Sequence, residues 1–93
     1  MKIVKINSLG CPSCIIMNKV FNQIREKYSF DLEEYDYDFD EVEEFNPGNI
    51  LPIYIFYKDN KEVNRLCGEH KIEEFEKIIL NYILMKYGIV KKT

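Results

Sequence analysis

The stretch SLGCPSCIIMNKVF, residues Ser8 to Phe21, sets two cysteines three apart where a turn gives way to a helical pattern. Upstream, KIVKIN (Lys2–Asn7) is short and β-branched and predicts a strand. Asn7 to Gly10 predicts a turn. From Pro12 to about Tyr28, the apolar residues Ile16, Val20, Ile24 and Tyr28 recur every four, with Met17 and Phe21 beside them. Asn18, Lys19, Asn22, Gln23, Arg25 and Glu26 fill the other side. That spacing predicts an amphipathic helix. Pro12 suits its first turn, where a missing N–H leaves no bond unmade.

Leu32 to Phe39 alternates, with Tyr35, Tyr37 and Phe39 on one side and Asp36 and Asp38 on the other. This predicts a half-buried strand near a sheet edge. Asp40 with Glu43 forms a capping-box pattern for a short helix, Glu41 to Phe45, ended by Asn46-Pro47-Gly48-Asn49. Ile53 to Tyr57 is a solid apolar strand, Lys58 to Lys61 a turn, and Glu62 to Cys67 its hairpin partner. From Lys71, the residues Ile72, Phe75, Ile79 and Ile83 predict a final helix, with Gly88 as its stop. The order is β-α-β-α-β-β-α. A helix between the first two strands implies parallel pairing, and the tight turn implies an antiparallel hairpin.

Ninety-three residues make one domain by the size prior, and 46% hydrophobic residues suffice for one modest core. The net charge of −3 lacks the basic footprint that a nucleic-acid partner requires. The most apolar run, Ile78 to Met85, falls far short of the ~20 residues that span a bilayer. Met1 to Lys5 holds no apolar run of signal length. The expected compartment is therefore the cytoplasm, where three cysteines are catalytic, metal-binding or inert rather than structural disulfides.

Cys11 sits at the helix mouth and Cys14 one turn inside. The positive end of the helix dipole favours an anion at Cys11, so its thiol should lose a proton more easily than a free one. A thiolate attacks disulfides, and a second thiol one turn away can displace the mixed disulfide that results. Two intervening residues supply that reach. Zinc is the alternative. Cys67-Gly68-Glu69-His70 is a C-x-x-H pair, and with Cys11 and Cys14 it completes a tetrahedral ligand set. CPSC also resembles half of a zinc knuckle. Against this, Ile15-Ile16-Met17 runs straight into a helix with no glycine after the second cysteine. The gap of about fifty residues is also long for a zinc ribbon.

A strand followed by Cys11-Pro12-Ser13-Cys14 opening a helix resembles the thioredoxin superfamily. Leu51-Pro52 before the strand Ile53 to Tyr57 resembles the cis-proline that this family places opposite its redox pair. The hairpin from Phe56 to Val63 and Gly68 before a final helix are similar too. The resemblance spans nearly the whole chain. It implies a three-layer α/β/α sandwich on a four-stranded mixed sheet, over residues 1–93 as one domain. Without thioredoxin's first strand and helix, size and order are closer to glutaredoxin. It implies a thiol–disulfide oxidoreductase of the electron-transport kind, with Cys11 as nucleophile and Cys14 as resolving thiol. Pro12, Ser13, Leu51, Pro52, Cys67 and Gly68 would form the substrate surface. The Cys11–Cys14 disulfide would be the redox group, with no metal or other cofactor. The rival functions are a zinc-held interaction module and a redox sensor without turnover.

The chain departs from its relatives in ways that bear on the electron donor. Leu9-Gly10 stand where thioredoxins carry tryptophan, and Pro-Ser is neither thioredoxin's Gly-Pro nor glutaredoxin's Pro-Tyr. Glutathione-binding glutaredoxins carry Thr-Val-Pro and a Gly-Gly turn before Asp; here those places read Ile50-Leu51-Pro52 and Cys67-Gly68-Glu69. The expected donor is a flavoprotein like thioredoxin reductase, in preference to glutathione. The expected clients are disulfide-containing proteins met by a monomer, with neither membrane nor nucleic acid involved.

Three further features carry expectations. Cys67 fills a valine-like place beside the substrate surface, or forms a regulatory disulfide. Thioredoxins hold a buried aspartate six residues before the first cysteine and a lysine on the next strand; here Lys5 and Glu34 reverse that pair. Lys5 is expected to snorkel to the strand end, or else to act as a cation that favours thiolates. Nine carboxylates and no basic residue lie between Asp31 and Glu44. They predict a solvated face that can steer a basic partner rather than a calcium loop, because the loop glycine and distal glutamate are missing.

Overall fold

The computed structural model describes residues 1–86, with side chains to Tyr82. The order is β1 (Lys2–Asn7), α1 (Pro12–Lys27), β2 (Asp31–Asp36), a 3₁₀ turn (Glu43–Phe45), β3 (Ile53–Lys58), β4 (Lys61–Cys67) and α2 (Ile72–Lys86). The strands form one mixed sheet in the order β2-β1-β3-β4. β1 runs parallel to β2 and antiparallel to β3, and β3 runs antiparallel to β4. This is the α/β architecture that the sequence pattern implies. The expected stop at Gly88 lies outside the described residues.

Strand alternation sorts the core into two faces. Ile3, Tyr54 and Phe56 face Met17, Phe21 and Ile24 of α1 and Phe75 and Ile79 of α2. Val4, Ile6, Ile53 and Ile55 face the other way, under Val42 and the half-buried Tyr35, Tyr37 and Phe45. The first cluster is aromatic: the Phe21 ring lies 4.9 Å from Tyr54 and 6.1 Å from Phe75. Each fully buried large apolar side chain contributes about 1.5–3 kcal/mol, so these rings hold both helices to the sheet.

Three local expectations are corrected. The buried stripe of α1 is Cys14, Met17, Phe21 and Ile24, whereas Ile16 is 51% exposed. Positions three and seven residues beyond Cys14 share its side of the helix, so burying Cys14 turns Ile16 outward. β2 stops at Asp36 instead of reaching Phe39. There the Asp36 carboxylate accepts from the N–H groups of Asp38 and Phe39, closing a turn. The helix expected over 41–45 is a single 3₁₀ turn, and Asp40 does not cap it. The Asp40 carboxylate instead accepts from the Asp36 N–H at 2.6 Å. The hairpin expected at 58–61 is a two-residue turn with positive φ at Asp59 and Asn60. That geometry suits the twist of paired strands.

Candidate active site

The topology gathers one end of the sheet. β1 and β2 finish there, β3 starts there and β4 finishes there. Cys11 caps α1 from extended backbone, and its sulfur accepts from the Cys14 N–H at 3.1 Å. Pro12 occupies the first helical turn, as its missing N–H allows. Cys11 and Cys14 form a disulfide, with Cα atoms 5.2 Å apart. Cys11 is half-buried and Cys14 only 3% exposed. One sulfur is thus open to an incoming partner and the other is sheltered behind it, at the helix end whose dipole favours negative charge.

Pro52 is buried at the start of β3, and the Leu51–Pro52 peptide is cis. The Gly68 N–H donates to the Pro52 carbonyl at 2.8 Å, tying the loop after β4 to this end. Gly68 has φ +81°, and a Cβ there would meet Ile50 Cγ2 at 3.1 Å. Gly68→Ala is expected to lose about 1–2 kcal/mol of stability, because an L side chain is strained at positive φ. Denaturant unfolding checks it, and an unchanged midpoint would contradict it. The hydroxyl of Ser13 donates to Glu69 at 2.9 Å, joining the dithiol turn to the same loop. Leu9 and Ile50 stand out as exposed apolar side chains, 76% and 62%. Beside them the acidic turn 36–40 reaches the redox turn: Tyr37 N–H donates to the Asn7 carbonyl at 2.7 Å, and Ser8 bonds to Asp38.

The other candidates do not join the disulfide. Cys67 is a free thiol at the end of β4, opposite Ile53, and packs against the Val4–Ile55 face. That face lies across the sheet from α1, so Cys67 occupies an apolar place rather than one facing the disulfide. His70 Nε2 lies 2.8 Å from the Cys67 carbonyl, and Nδ1 pairs with Glu74. Both ring nitrogens are therefore engaged. The zinc set of Cys11, Cys14, Cys67 and His70 is not brought together. Among the described residues, no cluster of three or more His, Cys, Asp or Glu side chains is placed to hold a metal.

Lys5 does not snorkel. It is 7% exposed, on the face of the sheet that α1 covers. Its Nζ donates to Asn18 Oδ1 at 2.8 Å, lies 3.7 Å from Glu34, and sits 5.3 Å from the centre of the Phe21 ring. Burial lowers its pKa, against the opposing pull of Glu34, and Arg25 adds to the lowering. Its other strand neighbour is Tyr54, a buried phenol with no hydrogen-bond partner. Burial first, and then Glu34, push the Tyr54 pKa up. A buried charge carries a desolvation cost, and its partner Glu34 is half in solvent, so removing Lys5 leaves no buried charge unpaired. Lys5→Met is therefore expected to keep or raise the melting temperature, and a fall of several degrees would contradict this.

Asn18, Tyr54 and Glu69 escape a sequence reading of the site. Register on the sheet and helix phase bring them in, and no motif marks them.

No protein-family model matches the sequence, and no curated protein matches it. Solved structures do. Thioredoxin NaTrxh from Nicotiana alata is 30% identical, over 86% of this chain and 70% of its own, with a TM-score of 0.74. Fasciola hepatica thioredoxin is 26% identical, over 85% and 78%, with a TM-score of 0.68. Thioredoxin 1 from Thermosipho africanus shares the fold at 21% identity, over 94% and 99%, with a TM-score of 0.76.

Proposed function

The chain belongs to the thioredoxin superfamily, and from that premise we propose that it reduces disulfide bonds in client proteins. A thioredoxin fold carrying a Cys-x-x-Cys disulfide supports thiol–disulfide oxidoreductase chemistry in general. One observation carries the finer reading: at the mouth of α1, Cys11 is reachable and Cys14 is covered.

In the reduced protein, the Cys11 thiolate attacks a client sulfur. The client S–S bond breaks, a Cys11–client bond forms, and one client thiolate leaves. Cys14 then attacks the Cys11 sulfur. The mixed disulfide breaks, the Cys11–Cys14 bond forms, and the second client thiolate leaves carrying the proton that Cys14 gives up. The client gains two electrons and the dithiol loses them. Pro12, Ser13, Leu51, Pro52 and Gly68 form the surface against which the client's backbone lies, with Cys67 at its margin. Electrons return from a flavoprotein reductase rather than glutathione. The protein works as a monomer in the cytoplasm. Among the described residues, no helix is long and apolar enough to cross a membrane.

The test supplies a protein disulfide and compares two electron sources, NADPH with thioredoxin reductase and NADPH with glutathione and its reductase. Turnover with the first and little with the second is expected. Equal turnover with glutathione would reject the donor. No reduction even by the pre-reduced protein would reject the function.

A further inference from the structure

We propose that Lys5 is a positioning residue for the resolving step: its buried ammonium, tethered to Asn18 one helical turn below Cys14, favours the Cys14 thiolate. The assignment rests on the disulfide-exchange reading above.

Lys5 is the only charged side chain buried among the described residues. Its surroundings do not account for it as packing, since it lies over the Phe21 ring in a cluster otherwise apolar. The tether holds it against the first turns of α1, the helix that carries Cys14. Asn18 follows Cys14 by four residues on α1, so the two side chains lie on one side of the helix, about 6 Å apart along its axis. Lys5 Nζ is bonded to that asparagine at 2.8 Å. Cys14 itself is 3% exposed, so little water screens it.

The charged and titratable neighbours come from each element around Lys5. Glu34 on β2 lies 3.7 Å away but is half in solvent, which weakens its opposing field. Tyr54 on β3 is held neutral by burial. Arg25 on α1 adds positive charge to the same region. From the loop before α2, Glu69 is bonded to Ser13, and His70 is paired with Glu74.

Lys5 stays protonated through the step and neither gives nor takes a proton. Cys14 passes its proton, directly or through water, to the departing client thiolate. The Lys5 charge reduces the cost of the anion in between. At an effective dielectric near 20, a charge about 10 Å away shifts a thiol by about one pKa unit. Losing it lowers the thiolate fraction about tenfold, while the more basic thiolate is about threefold more nucleophilic. The net effect is a resolving step about threefold slower below the thiol's titration.

The experiment mixes the reduced protein with 5,5′-dithiobis(2-nitrobenzoate) and follows release of the coloured thiolate across pH. In a Cys67→Ser background, which removes the third thiol, the first equivalent reports attack by Cys11 and the second reports attack by Cys14. In Lys5→Met the second phase should slow about threefold at neutral pH, and its pH midpoint should rise by about one unit. The first phase should stay unchanged. Lys5→Arg should restore the second phase. Glu34→Gln, on a half-exposed side chain, should fold and move the midpoint the other way. Coincident second phases in wild type and Lys5→Met would overturn the proposal. So would equal slowing of both phases, or a Glu34→Gln midpoint that does not fall. If the wild type releases both equivalents yet reduces no protein disulfide, the client reading fails and the Lys5 assignment is judged on the second phase alone.

Discussion

Cys14→Ser is expected to stop turnover and accumulate a covalent complex between Cys11 and a client, whereas Cys11→Ser forms none. Both variants should lose about a thousandfold or more of disulfide reduction, because two residues that act in one exchange cannot substitute for each other. The asymmetry follows from burial. Cys11 is half-buried at the helix mouth and Cys14 is covered. Removing the inner thiol leaves the outer one able to attack but with nothing to release it. Non-reducing gels, with mass spectrometry of the trapped species, separate the variants. Complexes that form through Cys14 in Cys11→Ser would reverse the roles. Complexes through Cys67 would move the chemistry off the helix.

Phe21→Ala is expected to lose about 3–5 kcal/mol of folding stability, the range for deleting a large buried aromatic. Phe21 is fully buried and meets Phe30, Tyr54 and Phe75 with ring centres 5.8, 4.9 and 6.1 Å away. It joins α1, the sheet and α2, and Lys5 lies over its face. A domain with about 5–15 kcal/mol in total cannot absorb that without a large fall in its urea midpoint. A loss below about 1 kcal/mol would mean that the helices are held by something other than this aromatic cluster.

Much of this architecture was legible because it depends on pattern. The apolar run Ile53 to Tyr57 and the tight turn after it specify a hairpin whatever lies around them, and the structure pairs those strands antiparallel. Cys11-Pro12-Ser13-Cys14 marks the helix mouth by its own capping chemistry. Phase was harder. Ile16 and Met17 are equally apolar, and only the docking of α1 on β1 and β3 decides that Met17 is buried and Ile16 exposed. The end of β2 was hidden for a different reason. Tyr37 and Phe39 continue the alternation, but the Asp36 carboxylate captures the next two N–H groups and turns the chain.

The site divides along the same line. The cysteines announce themselves by spacing, and Pro52 by its resemblance to the family's cis-proline. Lys5 was visible as an odd residue in a strand, but its burial was not, since a long amphipathic side chain is as readily placed at a strand end. What buries it is the row Glu34, Lys5, Tyr54 across three strands, together with Asn18 from the helix. Cys67 and His70 looked like half of a metal site because they are close in sequence. In space the cysteine side chain joins the apolar face across the sheet from α1, and the imidazole is engaged by its own loop and helix.

The measurement that bears most directly on the central claim is site-resolved alkylation of the fully reduced protein across pH, read by mass spectrometry. Cys11 is expected to react fastest and already below neutral pH, with Cys14 and Cys67 lagging well behind. Equal rates at all three cysteines, or Cys67 reacting first, would contradict it.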